Sequence, residues 1–586
     1  MLVPFFGLLV AVVAVAREVE HPQGWSLTVS ASPEERLRFH LALASPNVAE
    51  FEQAALDIAT PGNPSYGQYL THKSLDHLLH PNKAVLLEVF QWLRSVGIDE
   101  GQVTRRSNTL VFTAAVRQAT SLLNTTFNHY VDSTGQDVIR TTHYSVPKPL
   151  DGHIEMIQPT TRFPRTRPLA SLILPHKSSF RGADVKPSRP DPALTFDPIL
   201  CNTTITPGCL RGLYRLENST IPEDSIYTLG IAGFLNQYAR YEDWQSFARV
   251  YAPWARGTNF SAVGANPQDD DENDNQEASL DIQYTMSLAP GVRTVFYSTP
   301  GLGPLIPDHD QPDTELNSNE PFLDHLHYMA SLADNELPRV ISYSYGENEQ
   351  SVPRDYAIQV CRLFAQLGSR GVSIIAASGD GGPGDSCLAN DGRNTIKFLP
   401  MFPASCPWVT AVGGTYQVEP EISAYFSGGG FSEVFYGLDY QKSAVEQYLN
   451  ATGSRFHKLY QPKGRAYPDV AAQSWSFWVT SKGNDNMLSG TSAAAPIWAA
   501  IVGNLNSIRS SQGKASLGFL NPWLYSLEQG LTDIVDGGSA GCFGTSIGGN
   551  ESRGVVSDAG WVAAEGWDAV TGLGTPIFDE LVAAMP

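Results

Sequence analysis

Ser492 lies in the string SGTSAAAP, residues 489–496, which leads into the apolar run IWAAIV. A serine at the start of a helix meets unpaired backbone N–H groups and the positive helix end, surroundings that favour a developing oxyanion. For a short G-T-S the alternative is a serine that only caps a core helix. The longer string of small residues, which lets a substrate backbone approach closely, favours a nucleophile. Such a serine needs a base. Nine of the thirteen histidines precede residue 190, and the other four, His309, His325, His327 and His457, stand in no H-G-T context. No D-T-G or D-S-G is present to orient one, so a carboxylate is expected to do the work of the base.

Glu277 and Asp281, in QEASLDIQY (276–284), are four residues apart and share one face if the stretch is helical. Two carboxylates that close resist ionising together, so one is held protonated near neutrality and can shuttle a proton. The competing reading is a pair of solvated acids on an exposed helix. The neighbours Ala278, Leu280 and Ile282 argue against it, while the QDDDEND run just upstream (268–274) reads as a solvated loop or helix start. Asp380 closes the apolar run GVSIIAAS within SGDGG (378–382). It is either a turn-capping residue or, when protonated, a hydrogen-bond donor to an oxyanion.

These residues need a scaffold, and the second part of the chain supplies the pattern for one. Strand-like runs at 227–234, 292–298, 338–346, 371–380 and 408–415 alternate with helical ones from about Glu242 and from Asp355 to Leu367. Alternation of this kind predicts a parallel sheet covered by helices, with function at the carboxyl ends of the strands. The first part reads as a small α+β domain, with helical spacing over 84–96 and a short apolar strand over 109–115. Between the two, residues 161–192 are rich in Pro, Arg and Lys with little periodicity, the composition of an exposed, cleavable linker.

Charge divides along the same line. From Arg17 to Pro190, 18 Lys and Arg face 16 Asp and Glu; from Asp191 onward, 21 face 44. The acidic balance of the second part argues against a nucleic-acid partner. Residues 1–16, MLVPFFGLLVAVVAVA, are uncharged and end in Ala-Val-Ala, which reads as a secretory signal peptide; a short membrane anchor is the alternative. No later segment has the roughly 18 apolar residues that a span requires. Sequons at Asn124, Asn202, Asn218, Asn259, Asn450 and Asn550 and an even count of six cysteines fit a secreted, extracellular chain with disulfides, of which only Cys201–Cys209 is local enough to assign.

Together with SGGGFSEVFYGLDYQ (427–441) and the N-terminal SPEERLRFHLAL and PSYGQYLT (64–71), the E-A-x-L-D, S-G-D-G-G and S-G-T-S-A-A-A-P motifs resemble the sedolisins, or serine-carboxyl peptidases, and among them the fungal tripeptidyl-peptidases. The resemblance covers nearly the whole chain. It implies a subtilisin-like α/β fold over residues 193–586, preceded by an α+β, ferredoxin-like activation prodomain over 17–160 that inhibits its own enzyme. It implies Ser492 as nucleophile, Glu277 as general base and then acid, Asp281 as its proton-coupled partner, and Asp380 as oxyanion donor. It also implies one Ca²⁺ held by the carboxylates of Asp533 and Asp568 and by backbone carbonyls of Ile534, Ala564 and Gly566, where Ala564 replaces the usual first glycine; an ordinary glycine-rich turn is the alternative.

The expected activity is hydrolysis of peptides and proteins at acid pH by a monomeric enzyme without nucleic-acid or membrane partners, releasing tripeptides from free N-termini. An acid endopeptidase is the alternative within the family, and a secreted binding protein that keeps the fold without catalysis the alternative outside it. The near-neutral first part and acidic second part are expected to loosen as carboxylates protonate, with autocatalytic cleavage between about residues 175 and 195.

Overall fold

The computed structural model describes residues 14–18, 25–106, 108–132, 137–161, 196–218, 220–222, 225–264, 275–311, 318–453, 455–544 and 552–586. The signal-peptide stretch as far as residue 13, the linker from residue 162, the QDDDEND run and the Asn550 sequon lie outside the described residues. The chain forms two compact units, residues 1–51 with 73–166 and residues 52–72 with 167–586.

In the smaller unit, the helix Lys83–Arg94 starts where the Asn82 side chain accepts the Ala84 N–H, and it buries Val85, Leu86, Val89 and Leu93 along one stripe. That stripe packs with the helix Val116–Leu123 over an antiparallel sheet. The sheet order is Val103–Arg106, Thr109–Ala115, Arg36–Leu43, Ile154–Gln158. Strand, helix, strand, strand, helix, strand in this order is the ferredoxin-like arrangement expected from the sequence. The segment Ala14–Glu18 pairs antiparallel with His143–Pro147.

The larger unit holds an eight-stranded sheet. In chain order its elements are β1 (Thr228–Gly233), α1 (Tyr241–Tyr251), β2 (Ser261–Gly264), α2 (Gln276–Leu288), β3 (Arg293–Ser298), α3 (Phe322–Ser331), β4 (Val340–Tyr343), α4 (Arg354–Ser369), β5 (Ser373–Ala377), β6 (Thr410–Tyr416), β7 (Ile422–Ser423), β8 (Val470–Gln473) and α5 (Thr491–Ser511). The strand order is β2-β3-β1-β4-β5-β6-β7, with β8 also on β6. Every pairing is parallel except the short β6–β7 one.

Both faces of this sheet are covered, which is why its strands read as continuous apolar runs. On one face α1, α2 and α5 share a hydrophobic cluster with Val340, Ile375, Val412 and Val470. On the other, Tyr343 packs against Phe322 of α3 and Phe364 of α4. Helix α5 is buried from Thr491 to Arg509 and α2 from Glu277 to Leu288, so neither has a solvent face. The Trp498 indole N–H donates to the Ala471 carbonyl at 2.7 Å, tying α5 to β8. Residues 52–72 belong to this unit, where the Tyr69 hydroxyl donates to the Ser516 carbonyl at 2.8 Å and the Leu70 N–H to Ser369 at 2.9 Å.

Disulfides join Cys201 to Cys209, Cys361 to Cys406 and Cys387 to Cys542. No helix of the described residues is long and apolar enough to cross a membrane. A fully buried ion pair holds the base of β8: Arg465 Nη2 lies 2.5 Å from Asp469 Oδ2, and Arg465 also donates to the Val409 carbonyl at 3.2 Å. Asp469 in turn accepts the Ala411 N–H and the Tyr525 hydroxyl. Removing one partner of such a pair strands a buried charge. We expect Arg465→Met to destabilise the larger unit by about 3–5 kcal/mol, seen as a lower denaturant midpoint.

Candidate active site

Three chain segments converge beyond the carboxyl ends of the central strands: residues 344–348 after β4, residues 378–381 after β5, and the first turn of α5. They surround a cavity of about 350 Å³ whose lining includes Ser344, Ala377, Gly379, Asp380, Thr491 and Ser492. This is the place in an open α/β sheet where ligands bind.

Ser492 is the second residue of α5, in the turn whose N–H groups have no intrahelical partner. Its hydroxyl donates to the Ser344 carbonyl at 3.2 Å. Pro496, four residues on, has no N–H to return to the Ser492 carbonyl, so that oxygen is left for another donor. Ser344 supplies it. The Ser344 hydroxyl lies 3.2 Å from the Ser492 carbonyl oxygen and 2.7 Å from Asp281 Oδ1, and its single proton serves both. Glu277 and Asp281, one helical turn apart on α2, are 1 % and 0 % exposed, which disposes of the solvated reading. Burial drives the Asp281 carboxyl well above its ordinary range, and the Ser344 hydrogen bond pulls it partly back. Burial raises the Tyr345 hydroxyl too, and the charges of Glu277 and Asp281 add to it, so both carboxyls act on the cavity wall.

Asp380 is held by the start of α5. Its Oδ1 accepts the Thr491 N–H at 2.7 Å and the Thr491 hydroxyl at 2.9 Å, and the Gly379 N–H donates to that hydroxyl at 3.1 Å. A Cβ on Gly490 would stand 2.8 Å from Asp380 Oδ2, which explains the glycine. Burial raises the Asp380 carboxyl to about 6, against the lowering effect of the Thr491 bonds. It is therefore a neutral acid through the acidic range.

No histidine is among the residues that line the cavity. His325 is buried in an aromatic cage of Phe234, Tyr297 and Tyr343, its Nδ1 3.0 Å from the Thr299 hydroxyl, and burial lowers its ring to about 3. It is a neutral core residue. The sequence reading missed Ser344, Thr491 and a second set of acids in the same cavity, Asp308, Asp310, Glu320, Glu347 and Asp385. A serine closing an apolar strand gave the only hint of Ser344.

Far along the chain, Asp533 and Asp568 grip one loop. Asp533 Oδ2 accepts the Gly566 N–H at 2.7 Å, and Asp568 accepts the N–H groups of Ala564, Val570 and Thr571. Among the described residues no three His, Cys, Asp or Glu side chains form a metal cluster. The two carboxylates would therefore need the carbonyls of Ile534, Ala564 and Gly566, none of which accepts a backbone hydrogen bond among the described residues. Burial raises Asp568 to about 7, and a divalent cation beside it would favour its ionised form. Ala564 needs no left-handed backbone, so it replaces glycine without strain. The donor set fits an oxygen-loving cation.

A parallel sheet with a serine at the head of a buried helix, behind a separate N-terminal unit, is the build of a subtilase-type serine peptidase made as a zymogen. Residues 23–163 match the family described as Pro-kumamolisin, activation domain, and residues 314–516 match the Subtilase family. The chain is 45 % identical to Tripeptidyl-peptidase SED4 of Arthroderma otae, over 96 % of this chain and 92 % of that protein. It is 45 % identical to the Probable tripeptidyl-peptidase SED3 of Arthroderma benhamiae, over 95 % and 93 %. It is 41 % identical to the Probable tripeptidyl-peptidase SED2 of the same organism, over 99 % of both. Among solved structures, Pseudomonas sedolisin complexed with pseudo-iodotyrostatin aligns over 66 % of this chain and 97 % of that one, at 20 % identity and a TM-score of 0.46. The chain belongs to the sedolisin family of serine-carboxyl peptidases, with the fungal SED tripeptidyl-peptidases as its relatives.

Two substitutions probe this geometry. Gly490→Ala should push Asp380 off Thr491 and lower peptidase turnover, and because the glycine has a backbone φ of +157° it should lower the thermal midpoint as well. Ser344→Ala removes the bond that lowers Asp281, so the pH dependence governed by that carboxyl should move to higher pH in the kcat profile.

Proposed function

We propose that this zymogen is a secreted, monomeric acid peptidase that releases tripeptides from free N-termini of peptides and proteins, using Ser492, Glu277, Asp281 and Asp380. The supporting observation is a cavity in which Ser492 and the buried Asp380 meet with no histidine in the lining, and in which Ser344 ties Ser492 to the buried Asp281. Ser492 Oγ attacks the scissile carbonyl and forms the ester bond as Glu277 takes its proton. Asp281, buried beside Ser344, holds a proton that it shares with Glu277 and so keeps the pair from carrying two charges. The developing oxyanion accepts a hydrogen bond from protonated Asp380. Glu277 then protonates the leaving amine, and water, deprotonated by the same carboxylate, releases the tripeptide.

Asp380 must be neutral to donate. Its neutral fraction falls as pH rises through about 6, so activity should fall over the same range. Hydrolysis of a free-amine tripeptide amide across pH should show that decline and should vanish in Ser492→Ala. Asp380→Ala should lower kcat by about 10²–10³, the usual cost of one oxyanion donor. Asp380→Asn keeps a donor that does not titrate, and its profile should lose the decline near pH 6. Full activity of the parent enzyme at about pH 8 contradicts the proposal.

A Ca²⁺ ion at Asp533 and Asp568 is part of this reading, with the carbonyls of Ile534, Ala564 and Gly566 completing its oxygen shell. It would brace the C-terminal loops and take no part in the chemistry. Chelation should lower the thermal midpoint, and added Ca²⁺ should restore it; a midpoint indifferent to chelator rules the ion out.

A further inference from the structure

The cavity holding Ser492 and Asp380 extends to carboxyls that the chemistry above does not use. Two of them, Asp308 and Asp310, are satisfied by donors of the protein itself. The Asn348 side-chain amide donates to Asp308 at 3.1 Å and to Asp310 at 2.8 Å, Gln350 donates to Asp308 at 2.9 Å, and the Ser386 N–H donates to Asp310 at 2.9 Å. Glu349, close by in sequence, is buried with a full set of donors from Ser432, Glu433 and Val434.

Glu347 is different. It lines the cavity, is 5 % exposed, and has only Glu320 for company, whose carboxyl and backbone N–H it faces; neither of its oxygens has a well-formed hydrogen bond among the described residues. Glu320, also in the cavity wall and 2 % exposed, has its Oε2 in the same condition. Burial and then the charge of Glu320 hold Glu347 well above the ordinary carboxyl range, and burial holds Glu320 at about 7, so the pair by itself keeps its protons; a cation set against it favours the ionised form and draws one proton off. A buried carboxyl short of donors is costly, and such groups cluster at binding sites.

We propose that Glu347, with Glu320 beside it, receives the α-ammonium group of the substrate's first residue. The inference rests on the tripeptidyl reading and deepens it by naming what fixes the count at three. Glu347 is three residues past Ser344, whose carbonyl accepts the Ser492 hydroxyl. Three residues of extended chain reach at most about 10–11 Å, which is also the reach of a tripeptide from its scissile carbonyl to its N-terminal nitrogen. The ammonium carries three donors, and the two carboxyls, which otherwise face chiefly each other, have oxygens left to accept them. A metal ion is a poorer occupant, because no three acidic side chains of the described residues converge as ligands.

The test compares one tripeptide amide substrate with a free amine and the same substrate N-acetylated, on the mature enzyme and on Glu347→Gln. The parent should prefer the free amine, and in Glu347→Gln the ratio of kcat/KM values, free over acetylated, should fall about 10- to 100-fold, the worth of one charge-assisted hydrogen bond, chiefly through KM for the free amine. A ratio unchanged in Glu347→Gln overturns the ammonium site and leaves the tripeptidyl reading standing. A parent enzyme that cleaves both substrates equally overturns the tripeptidyl reading and the site with it. Should Glu347→Gln fail to fold, Glu320→Gln is measured on the same pair: a lowered ratio supports the site, and an unchanged ratio contradicts it.

Discussion

The proton of Ser344 joins the two helices that carry Asp281 and Ser492. From the end of β4 its hydroxyl reaches Asp281 on α2 at 2.7 Å and the Ser492 carbonyl on α5 at 3.2 Å. The second contact exists because Pro496 leaves that carbonyl without its helical partner. The Ser344 carbonyl, in turn, accepts the Ser492 hydroxyl. The place of Ser492 is thus set by the sheet and by the buried acid together, and the proline inside α5, a defect in helical terms, is what lets the three elements lock.

The rest of the site follows from desolvation. Buried carboxyls lose more from ionising than exposed ones do, so Asp281 and Asp380 keep protons through a range in which an ordinary Asp is charged. A subtilisin-type enzyme uses the imidazole for work near neutrality; here no histidine lines the cavity, and His325 is locked in aromatic packing and kept neutral. If the chemistry runs through these acids as proposed, the same burial confines it to acid conditions, and acid chemistry and a fully buried α2 are two statements of one constraint.

The strands of the large sheet were legible because burial on both faces makes them unbroken apolar runs: the runs at 227–234 and 371–380 became Thr228–Gly233 and Ser373–Ala377. The pair on α2 was legible from its four-residue spacing. Ser344 was not, since its partners lie 63 and 148 residues away. Glu320 and Glu347 were missed for the same reason, as two acids among many whose neighbourhood only the fold creates. Cys201 and Cys209 were close enough to pair by eye, whereas the separations of 45 and 155 residues in the other two disulfides gave no such sign.

Carboxyl protonation is the claim on which the account turns, and infrared spectroscopy of the inactive Ser492→Ala protein observes it directly, with Asp380→Asn in that background to assign the band. The account predicts a protonated-acid band for Asp380 that disappears with a midpoint near 6, while that of Asp281 persists beyond it. An Asp380 band lost with a midpoint near about 4, the ordinary value for an aspartate, would contradict it.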